Sequence, residues 1–263
     1  MAIITLTSDW GETDYYPAAV KGHILQALPD AVIVDITHKI PRFDTREAAY
    51  VIRHAYRNFP SGTIHIIGVN TEESLDEPHL VVLYDGHYFI GADNGVFSLI
   101  FNTDKEPEKI YTLDIPLDSE KFTFSSRDRF AKAAVMLARG EAIETLGEIC
   151  SELNKKLDYE PSFNAFGIRG MIIHIDSYRN AITNIPHSLF DRVVGKQPFS
   201  IYFRGYQCKT IGESYSDAGG NANPVCLFGS NDLLEIALRN ATAATLMGLK
   251  LNDPVNIVIE GGS

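Results

Sequence analysis

Ile3-Ile4-Thr5-Leu6-Thr7-Ser8-Asp9-Trp10-Gly11-Glu12-Thr13-Asp14 opens the chain as a short apolar strand running into a loop with two carboxylates, Asp9 and Asp14, and Gly11 between them. In α/β proteins ligands collect where loops leave the carboxyl ends of parallel strands, so this stretch predicts both a fold class and a polar site in its first turn. An Asp in the same place also serves as a helix N-cap or turn residue, and local sequence leaves that alternative open. The pattern continues outward with helical spacing over Ala18–Leu28 and an apolar strand over Ala31–Ile36. Next comes a helix over Asp44–Asn58, with Asp44 as N-cap and Glu47 as its capping-box partner. Strands follow at Gly62–Val69, Leu80–Tyr84 and His87–Ile90, the last two joined through Asp85-Gly86, a hairpin turn by its chemistry. A further helix spans Arg127–Arg139 and ends at Gly140. Strand and helix patterns in alternation predict an α/β N-terminal domain with a mainly parallel sheet over residues 1–155.

The pattern then changes. Turn-prone and charged residues with little periodicity place a linker at 156–166, and short strands with one helix predict a smaller C-terminal β-barrel domain over 167–263. The expected strands are Met171–Ile175, Arg192–Val194, Ser200–Phe203, Ala222–Phe228 and Pro254–Ile259, with the helix near Asp232–Leu238 or a little later. Two domains make an interdomain cleft the natural place for a small ligand.

Composition narrows the function classes. The chain has 263 residues, 45% of them apolar, and a formal net charge of -11. That charge argues against nucleic acid as a partner, because phosphate binding needs clustered Lys and Arg. No run approaches the roughly 20 apolar residues of a membrane span, and the first residues lack a signal pattern, so the expectation is a soluble, cytoplasmic protein. Cys150, Cys208 and Cys226 are too far apart for a zinc motif or a disulfide framework, and the eight histidines show no ligand spacing; no metal site is expected.

Few polar constellations remain. Gly91-Ala92-Asp93-Asn94-Gly95 ends in a turn signal. In Phe124-Ser125-Ser126-Arg127-Asp128 one hydroxyl can cap the following helix, and the second is left to explain. From Asp176 to Ile185 a strand ends in amide and hydroxyl side chains, and an amide donates and accepts side by side, as an adenine edge requires; an Asn-rich hairpin has the same composition. His38, in Thr37-His38-Lys39-Ile40-Pro41, is a lone histidine at a strand end.

In their order, Ser8-Asp9-Trp10-Gly11, His38 to Asp44, Ala92 to Gly95, Ser126-Arg127-Asp128, Asp176 to Ile185, Gly229-Ser230 and Arg239-Asn240-Ala241 resemble the S-adenosylmethionine hydroxide adenosyltransferases, a family that includes fluorinating and chlorinating enzymes. The resemblance implies displacement of methionine from the ribose C5′ carbon without a cofactor. It also implies a homotrimer with sites between the N-terminal domain of one subunit and the C-terminal domain of its neighbour. Position by position, Asp9 would accept the ribose hydroxyls, Phe43 would stack beside the ribose and Asp14 would meet the methionine ammonium. Asn180 would read the adenine edge, Tyr215 would pack on the base, and Ser230, Asn240 and Ala241 would supply the remaining contacts.

The reacting end departs from the family. Its hydrolases carry an Asp, an Arg and a His where this chain has Asn70, Glu77 and Ser125. Ser126 stands where the fluorinating enzyme holds its halide, and a hydroxyl at a helix start can hold an anion or a water. The candidate catalytic residues are therefore Ser126, Asn70 and a loop glutamate, Glu72 or Glu73. Three readings stay open: a divergent hydrolase, a binding protein that lost the reaction, and an enzyme using another nucleophile or another 5′-substituted adenosine.

Overall fold

The computed structural model describes residues 2–101, 105–116, 121, 123–218 and 223–261. The opening stretch forms β1 (Ile3–Ser8), followed by α1 (Tyr16–Ala27), β2 (Val32–Thr37) and α2 (Thr45–Ala55). Then come β3 (Ile64–Gly68), β4 (His79–Tyr84), β5 (His87–Ala92), α3 (Val96–Ile100), β6 (Lys109–Thr112) and α4 (Ala131–Ala138). These strands make a six-stranded sheet of order β2-β1-β3-β5-β4-β6. Pairings β1·β2, β1·β3 and β3·β5 are parallel, whereas β4 runs antiparallel to both β5 and β6. The sheet is thus mixed rather than mainly parallel: the two-residue Asp85-Gly86 turn reverses the chain and turns this edge antiparallel.

Side chains alternate across the sheet. Ile64, Ile66, Val81 and Ile90 pack with Val20 and Ile24 of α1 and Ala131 and Ala134 of α4. Ile67, Leu80, Val82 and Phe89 pack on the other face with Ala48 and Ile52 of α2 and Phe97 and Ile100 of α3. Each fully buried Ile, Leu or Phe contributes about 1.5–3 kcal/mol, so the sheet is anchored from both sides. Asp44 caps α2 by accepting from the Arg46 and Glu47 amides at 3.0 and 3.1 Å.

The chain divides into two compact units, Met1–Asp158 and Tyr159–Ser263. The second unit contains β7 (Ser162–Asn164), β8 (Gly167–Ile175), β9 (Ala181–Pro186), α5 (His187–Val193), β10 (Phe199–Phe203), β11 (Tyr206–Cys208) and β12 (Ile211–Gly212). It continues with β13 (Val225–Phe228), β14 (Leu233–Ala237), α6 (Ala243–Leu246) and β15 (Pro254–Ile259). Its nine strands form a nearly closed, barrel-like sheet of order β11-β10-β15-β8-β9-β14-β13-β12, with β7 beside β8; among the described residues β11 and β12 do not pair to close it. Strand β8 carries the curvature, pairing with β15 through Gly167–Met171 and with β9 from Ile172 onward.

Two expectations fail here. Arg192–Val194 is not a strand: it ends α5, whose Leu189 and Phe190 are buried, and three residues are too few for a period to show. Leu233–Ala237 is a strand, not a helix. Leu, Glu and Ala favour helix, but pairing with β13 on one side and β9 on the other overrides propensity, and the later helix is α6. Ala222 lies outside the described residues. Among the described residues no helix is long and apolar enough to cross a membrane.

Candidate active site

Asp9 directly follows β1, and its Oδ2 accepts the Phe43 amide at 2.9 Å. Phe43 adopts a left-handed φ of 65° and its ring is 70% exposed. A non-glycine residue there costs about 1–2 kcal/mol, and the Asp9 bond offsets part of that cost. The pair therefore holds a carboxylate beside an exposed aromatic face. Trp10 is wedged over the end of β3, where a Cβ on Gly68 would stand 2.3 Å from its ring; only glycine permits this approach. The Trp10 ring also stacks on His38 at 5.7 Å.

His38, the lone histidine at a strand end, is buried, and its Nδ1 bonds Ser8 Oγ at 2.7 Å. Its Nε2 lies 3.1 Å from Asp35, which in turn binds Lys21 at 2.5 Å. Burial pushes the Asp35 carboxyl up, but Lys21 and His38 outweigh it and the net direction is down. Asp14 is exposed and lines an open groove with Glu12, Lys21, Asp35, His38 and Lys39. No hydrogen bond joins Asp14 to Asp9 among the described residues.

The second loop leaves β3. Asn70 has a left-handed φ of 47° and its carbonyl accepts from Asn94 Nδ2 at 2.8 Å, while the Val69 carbonyl accepts from the same group at 3.0 Å. The turn residue Asn94 thus fixes where Asn70 stands. His79 Nε2 lies 3.0 Å from the Thr71 carbonyl. A carbonyl only accepts, so Nε2 carries the proton and Nδ1 is left to accept from Arg129 at 3.0 Å. Burial pushes the His79 imidazole down, consistent with this neutral form.

Arg129 also pairs with Glu73 Oε1 and so ties the loop to the helical turn Ser126–Phe130. That turn carries Ser126, which is 1% exposed and whose Oγ has no hydrogen-bond partner among the described residues. A buried hydroxyl without a partner costs about 1–3 kcal/mol.

In the second unit Asn180 immediately precedes β9 and is 7% exposed. Its backbone amide donates to Asp176 Oδ1 at 2.7 Å and its Nδ2 to Asp176 Oδ2 at 3.3 Å. Tyr215 is half exposed and donates to Glu235 Oε1 at 3.0 Å; burial and this carboxylate push its hydroxyl up to about 12. Asn240 holds a left-handed φ of 52° in the turn closed by Leu238 and Ala241, next to the end of β14, and Ser230 lies in the β13–β14 turn. Sequence reasoning missed Glu235, His79 and Arg129, and read Asn94 only as a turn residue. Arg129 meets Glu73 and His79 across 56 and 50 positions, so no local spacing could have announced the contact.

A mixed sheet flanked by helices, with polar loops at neighbouring strand ends, and a separate strand-rich unit make a two-part α/β protein. The N-terminal-domain model of the SAM hydroxide adenosyltransferases matches residues 4–147 and the C-terminal-domain model residues 170–256. The chain belongs to this family.

Over 272 residues it is 31% identical to an (R)-S-adenosyl-L-methionine hydrolase of Thermus thermophilus, spanning 98% of this chain and 100% of the relative. A hydrolase of the same name from Methanocaldococcus jannaschii is 30% identical over 97% of this chain and 95% of its own length. A fluorinase of Actinoplanes is 25% identical over 97% of each. Among solved structures, an uncharacterized conserved protein from Thermotoga maritima matches with a TM-score of 0.87 at 25% identity, covering 97% of this chain and 99% of the other. A conserved hypothetical protein from Thermus thermophilus matches with a TM-score of 0.77 at 26% identity, covering 98% and 100%.

Proposed function

We propose that the protein binds S-adenosylmethionine and hydrolyses it to adenosine and L-methionine. A water oxygen attacks ribose C5′, the C5′–S bond breaks, and sulfur keeps the electron pair as the neutral thioether of methionine. A sulfonium leaves without acid catalysis, so the protein's work is to align the water, strip its solvation and take its proton. The observation that carries the reading is Ser126: a buried hydroxyl without a partner among the described residues, inside the matched N-terminal domain, is available to hold that water.

Asn70, fixed by Asn94, helps orient the water. Glu73 takes its proton: Arg129 engages Oε1 and so orients the carboxylate, with Oε2 left to accept. In this reading Asp9 clamps the ribose hydroxyls beside Phe43, and Asp14 meets the methionine ammonium. Asn180 and Tyr215 hold the base, and Ser230, Asn240 and Ala241 complete the contacts. Purified protein incubated with S-adenosylmethionine is expected to release adenosine and methionine in equal amounts; no adenosine above background at high protein concentration overturns the proposal.

The resemblance also supports a second reading, binding without turnover: it sets Asn70, Glu77 and Ser125 at the positions where the family's hydrolases carry their Asp, Arg and His. That reading predicts saturable adenosine binding and intact S-adenosylmethionine after incubation. Family resemblance also supports a homotrimer, expected to sediment at about three times the 29.2 kDa chain mass; a monomer overturns that part.

A further inference from the structure

His79 is a buried imidazole to which the proposed reaction gives no part. It opens β4, and only 1% of its side chain is exposed. The sheet grips its backbone: it is in register with Ala92 of β5, and its carbonyl accepts the Leu113 amide at 2.9 Å. Phe130 meets its ring edge to face, with centroids 4.7 Å apart. Strand and core therefore fix where the ring stands and how its plane lies, before any polar partner is considered.

The polar partners come from two other segments. Nε2 donates to the Thr71 carbonyl at 3.0 Å, in the loop that carries Glu73 two residues further on. Nδ1 accepts from Arg129 Nη1 at 3.0 Å, on the turn that carries Ser126. The same Nη1 donates to Glu73 Oε1, so its two hydrogens are both committed, one to the imidazole and one to the carboxylate. Arg129 Nε is buried and has no partner among the described residues. The guanidinium is thus held by one tip at the expense of its own Nε, an arrangement that hydrogen bonding within the fold does not favour.

Only a neutral imidazole suits this place, because it accepts at one nitrogen and donates at the other in fixed directions. An imidazolium would aim a second N–H and a second positive charge at the guanidinium. Burial pushes the His79 imidazole down and the charge of Arg129 adds to this, while the Thr71 carbonyl and Glu73 oppose it.

We infer that His79 is a positioning residue for the Glu73 base: through Nδ1 it holds Arg129, which orients the carboxylate, and through Nε2 it holds the loop on which Glu73 stands. The inference rests on the proposed reading that Glu73 takes the proton of the attacking water.

Steady-state kinetics with S-adenosylmethionine on two amide variants test it. An Asn amide superposes on the Nδ1 side of a histidine and a Gln amide on the Nε2 side. His79→Asn therefore keeps an acceptor for Arg129 and loses the Thr71 bond, and His79→Gln does the reverse. His79→Gln is expected to lower kcat about tenfold with KM within about twofold of the wild type, and His79→Asn to lower kcat by only about threefold. A residue that merely anchored the loop would give the opposite order, and that order overturns the inference. In a Glu73→Gln background His79→Gln is expected to cost less than about twofold more, because the group it positions is already gone. A full tenfold loss there overturns the route through Glu73. Should neither amide variant fold, 15N shifts of the wild-type histidines decide: His79 is expected to be neutral with the proton on Nε2, and a proton on Nδ1 overturns the inference. Glu73→Gln slow with His79→Gln at the wild-type rate overturns the role of His79 alone. Glu73→Gln at the wild-type rate, or a wild type without turnover, overturns the functional reading and this inference with it.

Discussion

The loops that leave β1 and β3 start from adjacent, parallel strand ends, where Ser8 is in register with Gly68, yet they are built differently. The β1 loop is pinned largely through backbone: the Gly11 amide donates to the His38 carbonyl at 2.8 Å, and Asp9 takes the Phe43 amide. The β3 loop is held by side chains, from His79 at the start of β4 and from Asn94 and Arg129 further along the chain. In the proposed reading the β1 loop holds the adenosyl group and the β3 loop activates its attacker, so binding and turnover are to be tested independently.

The largest expected effect acts on both loops at once, through the strands beneath them. Thr5 of β1 and His65 of β3 bond at 2.7 Å, and burial together with His87 pushes the His65 imidazole down to about 3. A base with a depressed folded pKa adds stability above its unfolded value, near 6.5, and that stability is lost as pH falls toward 3. Burial depresses His79 and His87 in the same direction. Urea unfolding of the wild type is expected to lose on the order of 4 kcal/mol between about pH 7 and about pH 3.5 from His65 alone. His65→Gln should flatten that slope; a wild-type curve level across this window would mean that the shared floor is not what couples the loops.

The next two substitutions separate the loops. Asp9→Ala removes the carboxylate assigned to two ribose hydroxyls and is expected to weaken adenosine binding roughly a hundredfold or more in calorimetry, since each charge-assisted bond is worth about 1.5–3 kcal/mol. Retained affinity would mean that Asp9 serves only the Phe43 turn. Glu73→Gln acts on the other loop and should lower kcat about a hundredfold with KM little changed, the size expected for loss of a general base. Arg129→Lys keeps the charge but not the fork, and should cost less, about tenfold in kcat. Equal losses for the two substitutions would make Glu73 a tie for the loop, not a base.

What could be read in the sequence follows the same division. The β1 strand, the Asp44 cap and the Asp85-Gly86 hairpin were legible because their signals are local: an apolar run, a capping residue and a two-residue turn. The sheet's mixed character followed from that hairpin but was outweighed by the strand–helix alternation. Leu233–Ala237 misled because helix propensity is local and strand pairing is not. The Glu73–Arg129–His79 cluster was illegible because Arg129 lies 50 or more positions from both of its partners, and each member looks like a solvated charge or a lone histidine. Glu235 was hidden in a run of apolar neighbours whose meaning depended on first reading them as a strand.

The smallest expected effect is the most diagnostic, because it carries opposite signs in two assays. Ser126→Ala deletes a buried hydroxyl with no partner among the described residues, so nothing in the folded protein is left unsatisfied by its removal. A deleted partner normally costs stability; here the unfolded chain alone loses a hydrated hydroxyl, and the folded state should be unchanged or more stable by up to about 1 kcal/mol in urea unfolding. If the hydroxyl holds the attacking water, kcat should fall about tenfold while KM for S-adenosylmethionine stays near the wild-type value, because the substrate's own contacts lie elsewhere. Stability up with turnover down is the pattern of a residue kept for function at a folding cost. Turnover unchanged with stability up would leave the hydroxyl without a catalytic use, and would move the water to Asn70 and Glu73.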